Sequence, residues 1–205
     1  MREQVYRQVL ESIVTGQITP GTRVKDTDIA GQLGISRTPV RETLLRLEQE
    51  GFLESNLCRG FKVRTLQLRE VEEVYPILWT LESLALKSSE PPSLSRIEKM
   101  TSLNEKIAQC IDAPVRLIEW DNAWHAALVS GCNNEWLLSM IGHLKTVIRR
   151  YEYKYMHQVE LVDKSVGDHG RLIEFLKTDK IDAAGALLEE HWRRSMHATA
   201  RELGE

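Results

Sequence analysis

Asp121 and His125 stand four apart in EWDNAWHAAL. On a helix that spacing puts both on one face, about 6 Å apart along the axis at ~1.5 Å rise per residue. A carboxylate and an imidazole so placed can bite one metal ion. His169, in GDHGRLIEFL, and His191, in LLEEHWRR, sit among apolar residues at helical spacing, so both can face a core. Three imidazoles and one carboxylate suit zinc first, with nickel, cobalt, iron or manganese also served. An Asp/His site with an open position can lower the pKa of bound water, which admits a metal-dependent hydrolase, although no general base is evident beside the four. Each His taken singly has a plainer reading, a hydrogen-bonded core or solvent-facing side chain. His143, His157 and His197 are read that way.

A second constellation lies near the front. Ser36, Arg37, Thr38 and Arg41 occur in LGISRTPVRE. Arg37 and Arg41, four apart, share a helix face. The hydroxyls of Ser36 and Thr38 can donate to phosphate, an anion that free N–H groups at a helix N-terminus also attract. An arginine there can make the bidentate contact to guanine O6 and N7. Arg46, further along, is expected to meet a nucleic-acid backbone or solvent. The plainer reading is a solvated helix, because residues 1–66 hold ten Lys+Arg against eight Asp+Glu, a weak basic footprint.

The elements that must position these residues are legible in the spacing. Val5, Val9 and Ile13 mark a first helix, which Gly16 and Thr19-Pro20-Gly21 end. A short helix follows over 26–33 with Asp26 as its N-cap, and Gly34 stops it. Ser36 caps a third helix, which tolerates Pro39 in its first turn. That helix is expected to turn Val40, Leu44, Leu45 and Leu47 inward. Phe52–Glu54 and Phe61–Val63 flank 56–60 and read as a small hairpin. Two short helices around a tight turn match a helix-turn-helix, and the hairpin would be its wing, with Arg59-Gly60 at the tip reaching the minor groove or flanking phosphates. Everything later reads as helix, over 68–90, 93–110, 113–130, 134–156, 158–177 and 179–203, with Pro76 expected to kink the first of these.

Composition frames both constellations. The 205 residues carry 27 Lys+Arg and 30 Asp+Glu, a net charge of −3, with 42% apolar and 28% charged residues. That balance excludes a disordered tail, a collagenous fibre and a wholesale polyanion binder. No apolar run approaches the ~18 residues needed to span a bilayer, and the N-terminus lacks a signal-peptide apolar region, so a cytoplasmic protein without membrane contact is expected. Residues 67–205 hold 17 Lys+Arg against 22 Asp+Glu, an acidic back half behind a slightly basic front. Two domains follow, 1–66 and 67–205. Cys58, Cys110 and Cys132 form no CxxC pair and are read as small apolar residues.

The stretch LGISRTPVRETLLRLEQEGFLE resembles the winged helix-turn-helix of the GntR superfamily of bacterial transcription regulators, and Gly60 with Val63 matches its wing. The resemblance implies DNA contacts from Ser36, Arg37, Thr38, Arg41 and Gly60. Thr27 stands where some members carry a basic residue, so a phosphate contact there is weaker or absent. Residues 68–200 resemble the effector domain of the FadR-like branch, in which many members hold a divalent metal through an Asp, a His four residues later and two further His. Asp121, His125, His169 and His191 match all four positions. The family often places an arginine four residues before a glutamate in the first effector-domain helix, where it clamps a carboxylate ligand. Here the glutamate is Glu82 and the earlier position is Leu78, which removes a charge-assisted contact. The ligand would then bind through the metal or be less polar, with Trp79 and Trp124 as possible walls and core packing as their plainer reading. Arg149 or Arg150 could supply a substitute cation.

The expected fold is mostly α: a winged helix-turn-helix of three helices plus a small β-hairpin, then an all-α antiparallel bundle of six to seven helices. The expected function is a homodimeric, sequence-specific repressor on a palindromic double-stranded DNA operator, its affinity controlled by a small-molecule effector at or near the metal. Two alternatives stay open: a regulator whose metal is itself the signal or purely structural, and a metal-dependent hydrolase.

Overall fold

A computed structural model describes residues 2–56, 60–110, 113–156 and 158–204, with the side chains of Asn56, Lys154 and Tyr155 left out. Arg59, Cys58 and His157 lie outside the described residues or side chains. The chain divides into two compact units, Met1–Gln67 and Leu68–Glu205.

In the first unit α1 (Arg2–Val14), α2 (Asp26–Leu33) and α3 (Arg37–Gln49) accompany strands β1 (Arg23–Val24), β2 (Leu53–Asn56) and β3 (Gly60–Val63). Val5, Tyr6, Val9 and Leu10 of α1 are buried, as are Val40, Thr43, Leu44 and Leu47 of α3, which packs against α1. Leu45, expected inward, is 41% exposed. One turn takes about 3.6 residues, so a face holding 40, 44 and 47 buries 43 and turns 45 outward. Asp26 is the first residue of α2 rather than its cap: Lys25 holds the cap position and makes no side-chain cap bond. Ser36 does occupy the cap position of α3, again without a side-chain cap bond. Gly34 closes α2 in the left-handed region at φ 65°, which makes the turn into α3 tight.

The expected hairpin is the larger part of a three-stranded antiparallel sheet ordered β1-β3-β2. Leu53 faces Val63 and Ser55 faces Phe61 across one ladder, and Arg23 faces Lys62 across the other. Gly60 has φ +84°, and a Cβ there would lie 2.9 Å from the Val24 carbonyl oxygen. Glycine at this position is a demand of the close approach between β3 and β1.

The second unit contains α4 (Leu68–Lys87), α5 (Leu94–Ala108), α6 (Pro114–Val129), α7 (Glu135–Tyr155), α8 (Val159–Lys177) and α9 (Ile181–Gly204). These α-helices agree with the spacing to within a few residues, and α4 runs through Pro76 as one element. Packing closes a ring: α4 on α9, α9 on α8, α8 on α5, α5 on α6, α6 on α7, and α7 back on α4. Among the described residues no helix is long and apolar enough to cross a membrane.

Candidate metal centre and DNA-reading face

On α6 the buried set is Leu117, Ile118, Asp121, Trp124, His125, Ala127, Leu128 and Val129. Asp121 and His125 therefore occupy core positions of an otherwise apolar stripe. His169 lies on the buried face of α8 between Val162 and Leu172, and His191 on that of α9 beside Leu188 and Trp192. Exposure of these four residues is 0–4%. The three imidazoles each offer a ring nitrogen, and these lie within 4.8 Å of one another. Asp121 joins them: its Oδ1 is 3.7 Å from His169 Nε2 and its Oδ2 3.8 Å from His125 Nε2.

Each imidazole is oriented from its other nitrogen. His125 Nδ1 lies 3.0 Å from Glu82 Oε2 of α4, which also accepts from Trp192 Nε1 at 2.7 Å. His169 Nδ1 lies 3.2 Å from Asn104 Oδ1 of α5, and the Asn104 amide donates to the Val166 carbonyl at 3.0 Å. His191 Nδ1 lies 3.4 Å from Asp168 Oδ2, which the Arg194 guanidinium also grips. All three partners are oxygen acceptors, so each Nδ1 carries the proton and each Nε2 presents a lone pair. This is the outer-shell pattern of metal-binding histidines. Sequence reasoning missed Asn104 and Asp168, and took Glu82 only as part of a ligand clamp. Asp168, directly before His169, was the one with a local signal.

A metal tests well against these residues. Asp121 Oδ1, His125 Nε2 and His169 Nε2 are buried polar atoms without a hydrogen-bond partner. Unsatisfied groups of this kind are costly in an interior. A zinc ion bound at ~2.1 Å spaces its ligand atoms ~3.4 Å apart. The two Asp121–imidazole separations, 3.7 Å and 3.8 Å, lie within a few tenths of an ångström of that, and the imidazole nitrogens are held within 4.8 Å of one another. Burial holds His125 below the ordinary imidazole range against the opposing pull of Glu82. Burial, and then the neighbouring His191, His125 and Lys145, hold His169 well below it. Both rings are thus neutral near pH 7, the form that ligates.

Beside this centre opens a cavity of about 500 Å³ lined by Glu82 and His125, by apolar Ala126, Val129, Leu138 and Ile141, and by Lys145 and Arg149 of α7. Lys145 Nζ is 3.3 Å from Glu152 and 3.8 Å from Asp121, and lies 4.4 Å over the Trp192 ring. Burial pulls its ammonium down, but Glu152, Asp121 and Glu82 raise it further, so it stays charged. Glu152 is pushed up, by burial first and by Asp121. Leu78, the position of the missing arginine, and the two expected walls, Trp79 and Trp124, are not in the lining. Leu78 is buried in the core. Trp79 is half-buried beneath Arg193, 4.9 Å from its ring centroid. Trp124 is fully buried, stacked on His169 with centroids 3.6 Å apart. Of the two substitute cations, Arg149 lines the cavity, whereas Arg150 pairs with Glu70 and Tyr151. His143 and His197 are exposed.

In the first unit Ser36, Arg37, Thr38 and Arg41 are all exposed along one end of α3. Arg37 Nη2 lies 3.1 Å and 3.3 Å from the two oxygens of Asp26, and Arg41 Nη1 lies 3.7 Å from Asp26 Oδ2. A cleft of about 570 Å³ runs past Asp26, Thr27, Arg37, Arg41, Leu45 and Gly60. Thr27 is exposed and its hydroxyl donates to Asp28. Arg46 does not wait for a ligand: its guanidinium covers the Tyr6 ring at 3.6 Å and pairs with Glu3 and Glu50.

Two stretches of the chain match known families. Residues 1–63 match the bacterial regulatory proteins of the gntR family, and residues 73–194 match the FCD domain. The chain belongs to the GntR family of regulators, in its FCD, FadR-like branch. Relatives of this GntR regulator carry the same description. It is 29% identical over 188 residues to the uncharacterized HTH-type transcriptional regulator YdhC of Bacillus subtilis, covering 88% of this chain and 83% of that one. It is 22% identical to the HTH-type transcriptional repressor GlaR of Escherichia coli, over 91% and 90% of the two chains. The solved structure of E. coli McbR/YncC shares the fold with a TM-score of 0.76 at 23% identity, over 98% and 97% of the chains. The family and these relatives are transcriptional regulators, not enzymes. The hydrolase alternative falls with that finding.

Proposed function

We propose that this GntR-family protein is a repressor whose affinity for a palindromic operator is set by a small-molecule effector bound beside a metal. In this reading residues 1–66 are the DNA-binding domain and residues 67–205 the effector-binding and dimerisation domain of a cytoplasmic homodimer. Ser36, Arg37, Thr38 and Arg41 meet the DNA, with Arg37 and Arg41 on guanine edges and the hydroxyls on phosphate. Arg59 and Gly60 belong to the wing of that same DNA contact.

Asp121, His125, His169 and His191 would hold one divalent transition metal, zinc first by donor chemistry, with nickel, manganese, cobalt or iron the competitors. Once bound, the metal supplies a Lewis-acid position for an anionic or lone-pair group of the effector. The chain supplies the rest. Glu82, Asn104 and Asp168 fix the imidazoles, Lys145 and Arg149 offer cations where Leu78 offers none, and Val129, Leu138 and Ile141 take an apolar body. The observation that carries the reading is the set of orphaned Nε2 and carboxylate atoms opening, through His125, onto that cavity. An effector with unequal affinity for two arrangements of the dimer shifts operator affinity by that difference.

The test is an operator-binding titration on metal-loaded and chelated protein, with and without a panel of small carboxylates. The reading expects a change in operator affinity only when metal and a carboxylate are both present. A response to metal alone makes the metal the signal. A metal that raises the melting temperature without altering any response makes it structural, a role its near-complete burial also suits.

A further inference from the structure

Asp26 is the one acidic group among those described that both reading-helix arginines share. Its side chain is 13% exposed, against 64% for Arg37 and for Arg41. As the first residue of α2 it sits where the helix dipole favours a carboxylate. The carboxylate is therefore fixed on one helix beneath two long, solvated side chains carried by the next. Both of its oxygens accept from one nitrogen, Nη2, of the Arg37 guanidinium, so the Nε and Nη1 donors are not spent on Asp26.

We infer that Asp26 is a positioning residue that turns Arg37 and Arg41 from general phosphate grips into oriented readers of base edges. This inference rests on the DNA-reading assignment proposed above. Two physical effects support it. Holding the arginine rotamers before binding removes part of the ordering cost of a bidentate contact. A carboxylate at the centre of the cationic pair repels a phosphate drawn to the same place, which lowers sequence-independent affinity and widens the gap to the specific site. Neither role was visible in the sequence, where Asp26 reads as a helix cap.

The experiment uses the full chain as wild type, Asp26→Asn, Asp26→Glu and Arg37→Ala. Each selects from a library of random 30-base-pair duplexes, and each is titrated against the duplex the wild type enriches and against poly(dI-dC) at several salt concentrations. Circular dichroism confirms that each variant is folded. For Asp26→Asn the expected result is a fall of about tenfold in affinity for the enriched duplex, within the range one bidentate arginine–guanine pair supplies. Affinity for poly(dI-dC) is expected to rise about threefold as one repelling charge is lost. Asp26→Glu, which keeps the charge, should recover part of the discrimination. An unchanged ratio in Asp26→Asn, with a motif that Arg37→Ala loses, overturns the role of Asp26 and leaves the reading helix standing. A parallel rise on both DNAs also overturns it, making Asp26 only a charge brake. A wild type that enriches no motif, or an Arg37→Ala variant that enriches the same one, removes the DNA-reading assignment and this inference with it.

Discussion

The reading face and the metal centre are both built from charged and polar side chains, yet they stand in opposite environments. Arg37 and Arg41 are nearly two-thirds exposed and share Asp26 as an acidic partner. Asp121, His125, His169 and His191 are almost completely buried, and three of their polar atoms lack a hydrogen-bond partner. Exposed ion pairs contribute about 0–1 kcal/mol each, so the front unit can spare its arginines for a ligand at little cost to folding. Buried unsatisfied groups each cost about 1–3 kcal/mol, so the back unit is destabilised until something ligates them. Function and stability should separate in the first unit and coincide in the second.

The largest expected effect tests that coincidence directly. Wild-type protein purified without a histidine tag should hold about one transition-metal ion per chain, and metal at a thousand times its dissociation constant should stabilise the fold by ~4 kcal/mol. The Asp121→Ala/His191→Ala variant should bind none. Elemental analysis and thermal melts check both; equal metal content in the two proteins would break the comparison at its root. Next, Glu82→Gln leaves the ligands in place but removes the carboxylate that orients His125. Metal affinity should drop about 10–100-fold with the helix content unchanged, as read by competition against a chelating dye.

On the other side of the comparison, Arg37→Ala should lose about 1–3 kcal/mol of operator discrimination while its melting temperature stays at the wild-type value. A variant that unfolds instead would show that the reading face is also structural. The pH dependence sharpens the contrast. Burial depresses His125 and His169 below their ordinary value of 6.5. As pH falls below that value the unfolded chain takes up protons before the folded chain does. Chelated protein should therefore lose stability progressively as pH falls below about 6.5 and gain none above it from these groups. Melts across that range check it, and a flat profile would mean the imidazoles are solvated. The smallest effect belongs to Arg46→Ala. It removes exposed pairs and a ring contact, so it should cost within about 1 kcal/mol by denaturant titration.

Much of the architecture was legible because helices declare themselves locally. The six long segments behind residue 67 follow the 3.6-residue period, and most of the breaks between them carry a signal (Pro91-Pro92, Ala113-Pro114, Asn133-Asn134, Thr178-Asp179), whereas the one between α7 and α8 carries none. The failures are equally local. β1 is two residues long, too short for any alternation to show, and exists only because β3 pairs with it. Leu45 looked like core because it adjoins Leu44, and one residue of rotation decided otherwise. Asp26 looked like a cap, but the start of α2 lies one residue earlier.

The sequence by itself determined the GntR-type reading helix, the Asp121–His125 pair and the candidacy of two further histidines, since these depend on residue type and on spacings within one or two turns. The tertiary structure alone decided what surrounds them. Glu82, Asn104 and Asp168 reach the imidazoles from positions up to 65 residues away. Lys145 comes in from α7, while Leu78, Trp79 and Trp124 turn away from the cavity they were expected to line. The physical reason is that a helix period fixes which residues share a face, but not which face meets which. Only the closure of six helices into a ring sets those pairings, and with them the chemistry at its centre.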